Sequence, residues 1–467
     1  MISIDALPDE ALLVIFDHYV YGIRFKEESQ KVEKTWQSLA HVCRRWRSIV
    51  FESPRRLDLR LVCTGGTPAR DRLDVWPTLP LIIGVNFGDW IRNVDNIVAA
   101  LECTDRVRQI DLGNVSSSTM EICLAAMQQQ FPELTNLFLW STDETVPVVL
   151  DSFLGGSAPR LEHVVLGGIS FPGLPKLLLS ATHLVTLQLF SIPHSGYFTP
   201  DAIAAAFSML TSLDHLRLEF ISTRSCLDRA SRRPPPSTRS VLPVLTKFWF
   251  KGASKYMEDL AAHIDALQLN CLTITVFNDI VFDTPQLIQF IRRTPNLKAF
   301  EKADIELRYY AAMVKFSLQA SPSRDERYLS LGILCKGLDR QLSYLRQVCT
   351  SCLPSLSTLE DLYFYKDPFS QLDGQDNTNN EPWVELLRPF SAVKNLYLAG
   401  KSASRVASVL QELVEGRTIE VLPMILPTLQ NIFVRGLKSS GSVQEGIGQF
   451  VAARQLTGHP IAVSRWK

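Results

Sequence analysis

The sequence lacks an excess of charge, a long apolar run and the pattern of a secretory signal. Its 48 basic and 48 acidic side chains give a formal net charge of zero, whereas dedicated nucleic-acid binders usually carry a basic excess. No apolar run approaches the ~20 residues that cross a bilayer, and the N-terminus is not basic and then apolar. We therefore expect no membrane partner, no dedicated nucleic-acid function, and a location in the cytoplasm or nucleus.

Motifs that carry common chemistry are also missing. The sequence contains no G-x-x-x-x-G-K-[ST], G-x-G-x-x-G, H-E-x-x-H or G-x-S-x-G, the patterns of phosphate, dinucleotide, zinc-protease and hydrolase sites. Cys349 and Cys352 form a lone C-x-x-C pair, whereas a structural zinc ion usually takes four ligands. We interpret the two as buried helix thiols, and we expect no catalytic residue, no metal and no cofactor.

What is present is the composition of a folded chain, with 46% hydrophobic and 21% charged residues. A length of 467 residues allows two or more domains or one long repeat array. The pattern changes near residue 56, so we predict a helical domain at 1–56 and a repeat domain at 57–467.

The first 56 residues have helical spacing. Pro8 suits a first helical turn, and Asp9 and Glu10 favour the positive end of the helix dipole. A second helix is predicted from Thr35 to Ser53, where Pro54 ends it. Each helix carries apolar residues that step by three or four and so share one face: Leu12, Ile15, Phe16 and Tyr19 in the first, and Leu39, Val42, Trp46 and Ile49 in the second.

From residue 107 onward an apolar triplet spaced L-x-x-L-x-L recurs about every 29 residues, which is the period of leucine-rich repeats. The spacing predicts one short strand and one helix per unit, stacked so that neighbours bury each other's apolar face. Two weaker units start at Leu297 and Glu326. The ten complete triplets start at Val107, Leu134, Leu161, Leu184, Leu213, Leu245, Leu269, Leu359, Val393 and Leu429.

The array is expected to be irregular. Residues 222–240 are rich in arginine and proline and predict a disordered insertion, and residues 366–382 are rich in Asp, Asn and Gln and predict a flexible loop. Regular leucine-rich repeats also place Asn or Cys three residues after each triplet. Here those positions hold Val115, Thr142, Ile169, Ile192 and Ile221.

The residues between the triplet positions should form an outward row, because strand side chains alternate between the two faces of a sheet. Aromatic and arginine side chains in that row are the kind that dominate protein interfaces. Strands favour aromatic residues in any case, so simple strand propensity remains the alternative. The predicted partner-binding residues are Phe138, Arg217, Trp249, Tyr363, Tyr397 and Phe433.

The N-terminal segment resembles an F-box. The resemblance rests on the L-P-D-E stretch that begins at Leu7, and on V-C-R-R-W-R from Val42 to Arg47. An N-terminal F-box followed by irregular leucine-rich repeats also resembles F-box proteins common in mushroom-forming fungi. The implied fold is α/β, with a small helical F-box and a solenoid that has parallel strands on one face and helices on the other.

That resemblance implies a function. F-box proteins bind a Skp-type adaptor, which links them to a cullin–RING ubiquitin ligase of the SCF type, and their repeats hold a protein substrate. The positions that carry over as adaptor-binding are Leu7, Pro8, Leu12, Ile15, Phe16, Val42, Cys43, Trp46 and Ile49. These side chains could instead pack against each other or the first repeat. Two further interpretations are a repeat scaffold outside ubiquitin ligase and an enzyme with an unrecognised site.

Overall fold

The computed structural model describes residues 4, 7–24, 36–54, 56–66, 68–76, 78–84, 93–222, 238–277, 284–318, 327–351, 356–366, 380–399, 401–415, 425–435 and 442–466. The chain divides into two compact units, Met1–Phe198 and Thr199–Lys467. No helix within these described ranges is both long and apolar enough to cross a bilayer.

The first unit contains the N-terminal helices and six strands. The strands pair in parallel and in chain order, β1 to β6. The helices are α1 Asp9–Arg24, α2 Arg44–Glu52, α3 Ala69–Val75, α4 Val94–Leu101, α5 Ser117–Ala126 and α6 Leu174–Leu178. The strands are β1 Leu61–Cys63, β2 Leu81–Gly84, β3 Val107–Val115, β4 Asn136–Ser141, β5 His163–Gly167 and β6 Thr186–Ile192.

The first predicted helix is present, but its apolar residues do not share one buried face. Leu12 and Phe16 are fully buried, and their spacing of four places them on one stripe of α1. Ile15 and Tyr19 are 45% and 50% exposed. The stripe therefore continues through Val20, which is also fully buried.

The second predicted helix is broken in two. Residues 36–40 are helical, and α2 begins only at Arg44. Between them Cys43 is extended, with φ −157°, and its Sγ accepts a hydrogen bond from the Trp46 N–H at 3.5 Å. An extended N-cap starts a new helix direction, so Val42 does not share a helical face with Trp46. The prediction that the helix stops before Pro54 is confirmed, since α2 ends at Glu52.

Trp36 joins the N-terminal helices to the first repeat. Its side chain is 1% exposed, and its indole N–H donates to the Arg60 carbonyl at 3.1 Å. Its ring meets those of Phe51 and Trp76 edge-on, with centroids 6.2 and 5.3 Å away. The helical segment and the start of the sheet therefore share one aromatic core.

The second unit continues the pattern of strand and helix with more irregular connections. Its helices are α7 Pro200–Phe207, α8 Ser254–His263, α9 Pro285–Arg293, α10 Leu338–Ser351, α11 Glu381–Leu387, α12 Lys401–Glu415 and α13 Ser442–Leu456. Its strands are β7 His215–Phe220, β8 Ser240–Val241, β9 Lys247–Gly252, β10 Ile264–Asp265, β11 Cys271–Phe277, β12 Lys302–Arg308, β13 Ala311–Ser317, β14 Tyr328–Leu334, β15 Asp361–Lys366, β16 Asn395–Ala399, β17 Asn431–Arg435 and β18 Ala462–Arg465.

The sheet of the second unit is not parallel throughout, which corrects the sequence-based expectation. Its spatial order is β7-β9-β11-β14-β13-β12-β15-β16-β17-β18, and β13 runs antiparallel to both β12 and β14. The chain reverses at Tyr309 and Tyr310, between paired residues Arg308 and Ala311. A hairpin thus stands where two parallel repeats were expected.

The ten complete triplets are confirmed as the apolar side of the strands. Every one of their thirty side chains is buried, because the L-x-x-L-x-L spacing leaves alternate strand positions on one face. The weak unit from Leu297 was wrong in frame, since β12 begins at Lys302 and buries Ala303, Ile305 and Leu307 instead.

Glu326, residues 223–237 and residues 367–379 lie outside the described residues. The predicted loop 366–382 ends early, because α11 begins at Glu381.

Candidate binding faces of the sheets

The face opposite the triplets forms regular rows of side chains. In the second unit the pairing register places one residue from each strand in a central row. These outward positions are half-buried, apart from Ser330, which is buried, and Ser464, which is exposed. In spatial order the row is Arg217, Trp249, Thr273, Ser330, Lys315, Asp304, Tyr363, Tyr397, Phe433 and Ser464.

Three predicted partner-binding residues form an aromatic ladder in this row, namely Tyr363, Tyr397 and Phe433. Tyr363 and Tyr397 stack with centroids 4.0 Å apart and planes 4° from parallel. Tyr397 and Phe433 stack at 4.6 Å and 12°. Trp466 meets both tyrosines edge-on at 5.5 Å. Because identical strand positions in a parallel sheet lie one strand spacing apart, the rings stack face to face.

A row of polar side chains runs beside the aromatic ladder. The Asn431 amide donates to the Asn395 side-chain oxygen at 2.8 Å, and the Asn395 amide donates to the Asp361 carboxylate at 2.7 Å. Asp361 is buried. Side-chain amides therefore do link neighbouring repeats here, but on the outward face and not at the position used by regular leucine-rich repeats.

Alkaline pH should weaken the second unit through two tyrosines. Burial raises the pKa of Tyr365 to about 12. The pKa of Tyr363 is also raised, mainly by burial and next by its contacts with Tyr397. A pKa raised in the folded state contributes stability that is complete below the unfolded value of about 10. That stability is lost as the pH rises through the folded value, about 12 for Tyr365, because the unfolded phenol ionises first.

Ultraviolet titration of the 11 tyrosines will check this prediction. We expect a late-ionising fraction that shrinks when Tyr365→Phe removes one phenol. Tyr309→Phe, at an exposed tyrosine, serves as the control and should leave that fraction unchanged. Titration of every phenol in one step near pH 10, the ordinary value, would contradict it.

Arg217 and Trp249 are neighbours on β7 and β9, but they are far from the aromatic ladder. Five strand spacings separate β9 from β15, which amounts to about 24 Å at about 4.8 Å each. The β12–β14 hairpin insertion causes this separation. The sequence predicts Arg217, Trp249 and the ladder residues as one continuous row. In the structure they form two separate parts of the sheet face.

Phe138 lies on β4 in the first unit, beside Gly113 of β3. Its ring occupies the space that a Cβ at Gly113 would need, and the Phe190 ring does the same over Gly167. Trp140 meets Phe190 edge-on, with centroids 5.7 Å apart. Sequence reasoning missed Trp140 and Phe190 because each follows the last apolar position of its triplet. Each nevertheless lies two residues after an outward strand position, so its side chain is on the same outward face.

The predicted adaptor-binding residues are split between surface and interior. Leu12, Phe16 and Ile49 are buried, and the Phe16 ring packs on Trp46 with centroids 4.7 Å apart. Their role in this structure is internal packing. Half-buried positions are Leu7 and Trp46, and exposed positions are Pro8, Ile15, Val42 and Cys43.

Arg45 holds the two halves of the F-box-like pattern together. Its guanidinium donates to the Leu7 carbonyl at 2.5 Å and pairs with the Asp9 carboxylate at 2.6 Å. These bonds bring the start of α1 to the start of α2, although the two lie 36 residues apart in sequence.

The described residues contain no group of three or more His, Cys, Asp or Glu side chains placed to hold a metal ion. Cys349 is buried in α10, and Cys352 lies outside the described residues. Burial raises the pKa of the Cys123 thiol to about 12, and a thiol that stays protonated is a poor nucleophile.

Comparison with known proteins adds little to this description. No protein family model matches the chain, and no curated protein matches it. Among solved structures, the leucine-rich repeat-containing protein LegL7 from Legionella pneumophila is similar over 84% of this chain and 97% of its own, at 12% identity and a TM-score of 0.24. A TM-score this low bears on neither fold nor function, so the repeat architecture rests on the strand–helix units themselves.

Proposed function

We propose that this protein is the substrate-recognition subunit of an SCF-type cullin–RING ubiquitin ligase, and that it is not an enzyme. Its N-terminal helices would dock a Skp-type adaptor, and its repeats would hold a target protein. The chain itself would perform no chemistry. It would raise the effective concentration of the target beside the transferred ubiquitin.

The observation that carries the proposal is the exposed apolar surface of the N-terminal helices. Val14, Ile15 and Tyr19 lie within two turns of α1 and are each at least 45% exposed. Val42, beside α2, is 58% exposed. Exposed apolar side chains on a helical segment favour burial against a partner.

The aromatic ladder supports the second half of the proposal. Tyr363, Tyr397 and Phe433 hold stacked, ordered rings on a sheet face, so little side-chain entropy remains to be lost when a protein binds there. Aromatic anchors of this kind carry most of the energy of typical protein interfaces.

A repeat scaffold outside ubiquitin ligase is the second candidate, and Trp36 favours it. Because Trp36 joins the N-terminal helices to the first repeat through Arg60 and Trp76, the segment also serves as a cap that covers the start of the sheet. Repeat proteins require such caps. A cap alone does not need Ile15 and Val42 to be exposed.

Capture of a purified Skp-type adaptor by the full chain tests the proposal. We expect binding to fall at least about a hundredfold in Ile15→Glu, Val42→Glu, since each change puts a charge into a desolvated apolar contact. The matched control is Ile122→Glu, Val148→Glu, where the wild-type side chains are 47% and 54% exposed. That control should bind normally.

Three results would count against the ligase role. Equal loss in both double variants would indicate a general effect of added charge. Normal capture by Ile15→Glu, Val42→Glu would mean that the adaptor does not dock on the surface of these helices. An adaptor complex that never recruits cullin would favour the scaffold.

A further inference from the structure

The outward face of the second unit carries cations that lie over aromatic rings of the next strand. Lys251 lies 6.0 Å from the centroid of Phe277, and Lys315 lies 4.3 Å from that of Tyr328. The Arg435 guanidinium lies 5.5 Å from the Trp466 centroid. Such contacts stabilise the cation without neutralising its charge.

These three cations have no ion pair with any carboxylate in the described ranges. Asp304 lies opposite Lys315 in the register, and the two attract each other electrostatically without forming an ion pair. The Asp304 carboxylate, however, is 3.0 Å from the Lys302 ammonium. The face therefore retains positive charge that its own acids do not cancel, although the whole chain is neutral.

The aromatic ladder between these cations presents ring edges, not ring faces. Tyr397 is covered on both sides by Tyr363 and Phe433. Tyr363 has Tyr397 on one side and the Lys302 ammonium 4.1 Å from its centroid. Ring edges carry partial positive charge, and a phenol donates a hydrogen bond. Both properties suit an acceptor-rich, anionic ligand.

Covered ring faces disfavour single-stranded nucleic acid as that ligand. Proteins that bind single strands stack bases on open aromatic faces, and those of Tyr363 and Tyr397 are occupied. Carboxylates need no stacking surface, only cations and donors spaced along a sheet. The same chemistry therefore favours an acidic polypeptide over an oligonucleotide.

We infer that the outward face of β9 to β18 binds an acidic segment of a partner protein, with carboxylates meeting Lys251, Lys315 and Arg435 beside the aromatic ladder. This inference rests on the proposed function, because it names the class of target that the repeats would hold. Charge complementarity of this kind sets specificity and association rate.

Fluorescence anisotropy with the full-length chain tests the inference. The probe is a fluorescein-labelled peptide of alternating glutamate and serine, compared with a lysine–serine peptide and with oligothymidylate. We expect the glutamate peptide to bind most tightly, and binding to weaken as salt rises. Tighter binding of either other probe, or no binding of the glutamate peptide, would overturn the inference.

Matched variants locate the site. Lys251→Gln, Lys315→Gln, Arg435→Gln should weaken binding about eightfold, at roughly twofold for each charge removed. The control, Lys176→Gln, Arg292→Gln, Lys298→Gln, removes three exposed charges from outside this face and should change binding less than twofold. If the two triple variants lose the same amount of peptide affinity, the peptide does not bind at Lys251, Lys315 and Arg435.

A single variant distinguishes loss of binding from loss of folding. Arg435→Gln alone, at an exposed residue, should weaken binding about twofold even if the triple variant fails to fold. Adaptor capture is measured on the same samples. If the chain captures the adaptor normally but does not bind the peptide, the acidic-segment inference is wrong and the ligase role is unaffected. If the chain binds the peptide normally but does not capture the adaptor, the ligase role is wrong and the inference about this face is unaffected.

Discussion

Replacing Trp36 with alanine is expected to lower the free energy of unfolding of the first unit by about 3–5 kcal/mol, the usual range for truncating a buried tryptophan. The change removes the ring that touches Phe51 and Trp76. It also leaves the Arg60 carbonyl without the indole donor. The loss combines a cavity with an unmet hydrogen bond, and both act at the junction between the helical segment and the sheet.

Urea unfolding followed by far-ultraviolet circular dichroism measures this loss, with limited proteolysis reporting which segment is released. We expect cleavage near the N-terminal helices at lower urea in the variant. His41→Ala is the control, because His41 is exposed and meets the same Trp76 ring at 5.9 Å. It should cost less than about 0.5 kcal/mol. Equal stability of Trp36→Ala and wild type would mean that the helices and the sheet are energetically independent.

Replacing Arg454 with alanine is expected to destabilise the second unit by about 3–5 kcal/mol, because each hydrogen bond from a charged donor contributes about 1.5–3 kcal/mol. Arg454 on α13 has no exposed surface. Its guanidinium donates to the carbonyls of Leu426 and Pro427, each at 3.1 Å. Both acceptors lose that donor in the variant, and the apolar stem leaves a cavity.

Leu426 makes this contact important, because it is a buried non-glycine residue with φ +48°. That conformation costs on the order of 1–2 kcal/mol and persists where neighbouring contacts hold it. Arg454 supplies two such contacts to the turn that leads into β17. Hydrogen exchange at residues 425–435 should therefore rise sharply in Arg454→Ala.

Arg388→Ala is the matched control for the second prediction. Its side chain is 56% exposed and pairs with Glu385 at 3.0 Å, so its loss should cost less than about 1 kcal/mol. If the two arginine variants unfold at the same urea concentration, the buried guanidinium contributes no more than a surface pair, and the turn at Leu426 is held by other contacts.

Several features of this protein follow from local pattern. The triplet positions were correct wherever all three were apolar, as at Leu213, because the period of two in a strand assigns each residue to a face. The same rule placed Tyr363, Tyr397 and Phe433 on the outward face. Pro8 and Pro54 marked the helix ends, since proline is excluded from helix interiors.

Other features could not be predicted because they depend on residues far apart in sequence. The break at Cys43 carries no glycine or proline, and its thiol cap is a weak signal in a sequence. The hairpin at Tyr309 and Tyr310 was missed because Lys302 interrupts the triplet, which hid a strand that runs in the other direction. That insertion places Trp249 on a different patch from the aromatic ladder.

The sequence by itself determined which side chains are apolar, how they are spaced, and hence which face of each triplet strand they occupy, because these depend on fixed local geometry. Tertiary structure alone decided which strands became neighbours, that Ile15 is exposed while Phe16 is buried, and that Arg454 lies in the interior. These outcomes depend on how surfaces from distant segments fill the same space, and burial energy is shared among all of them.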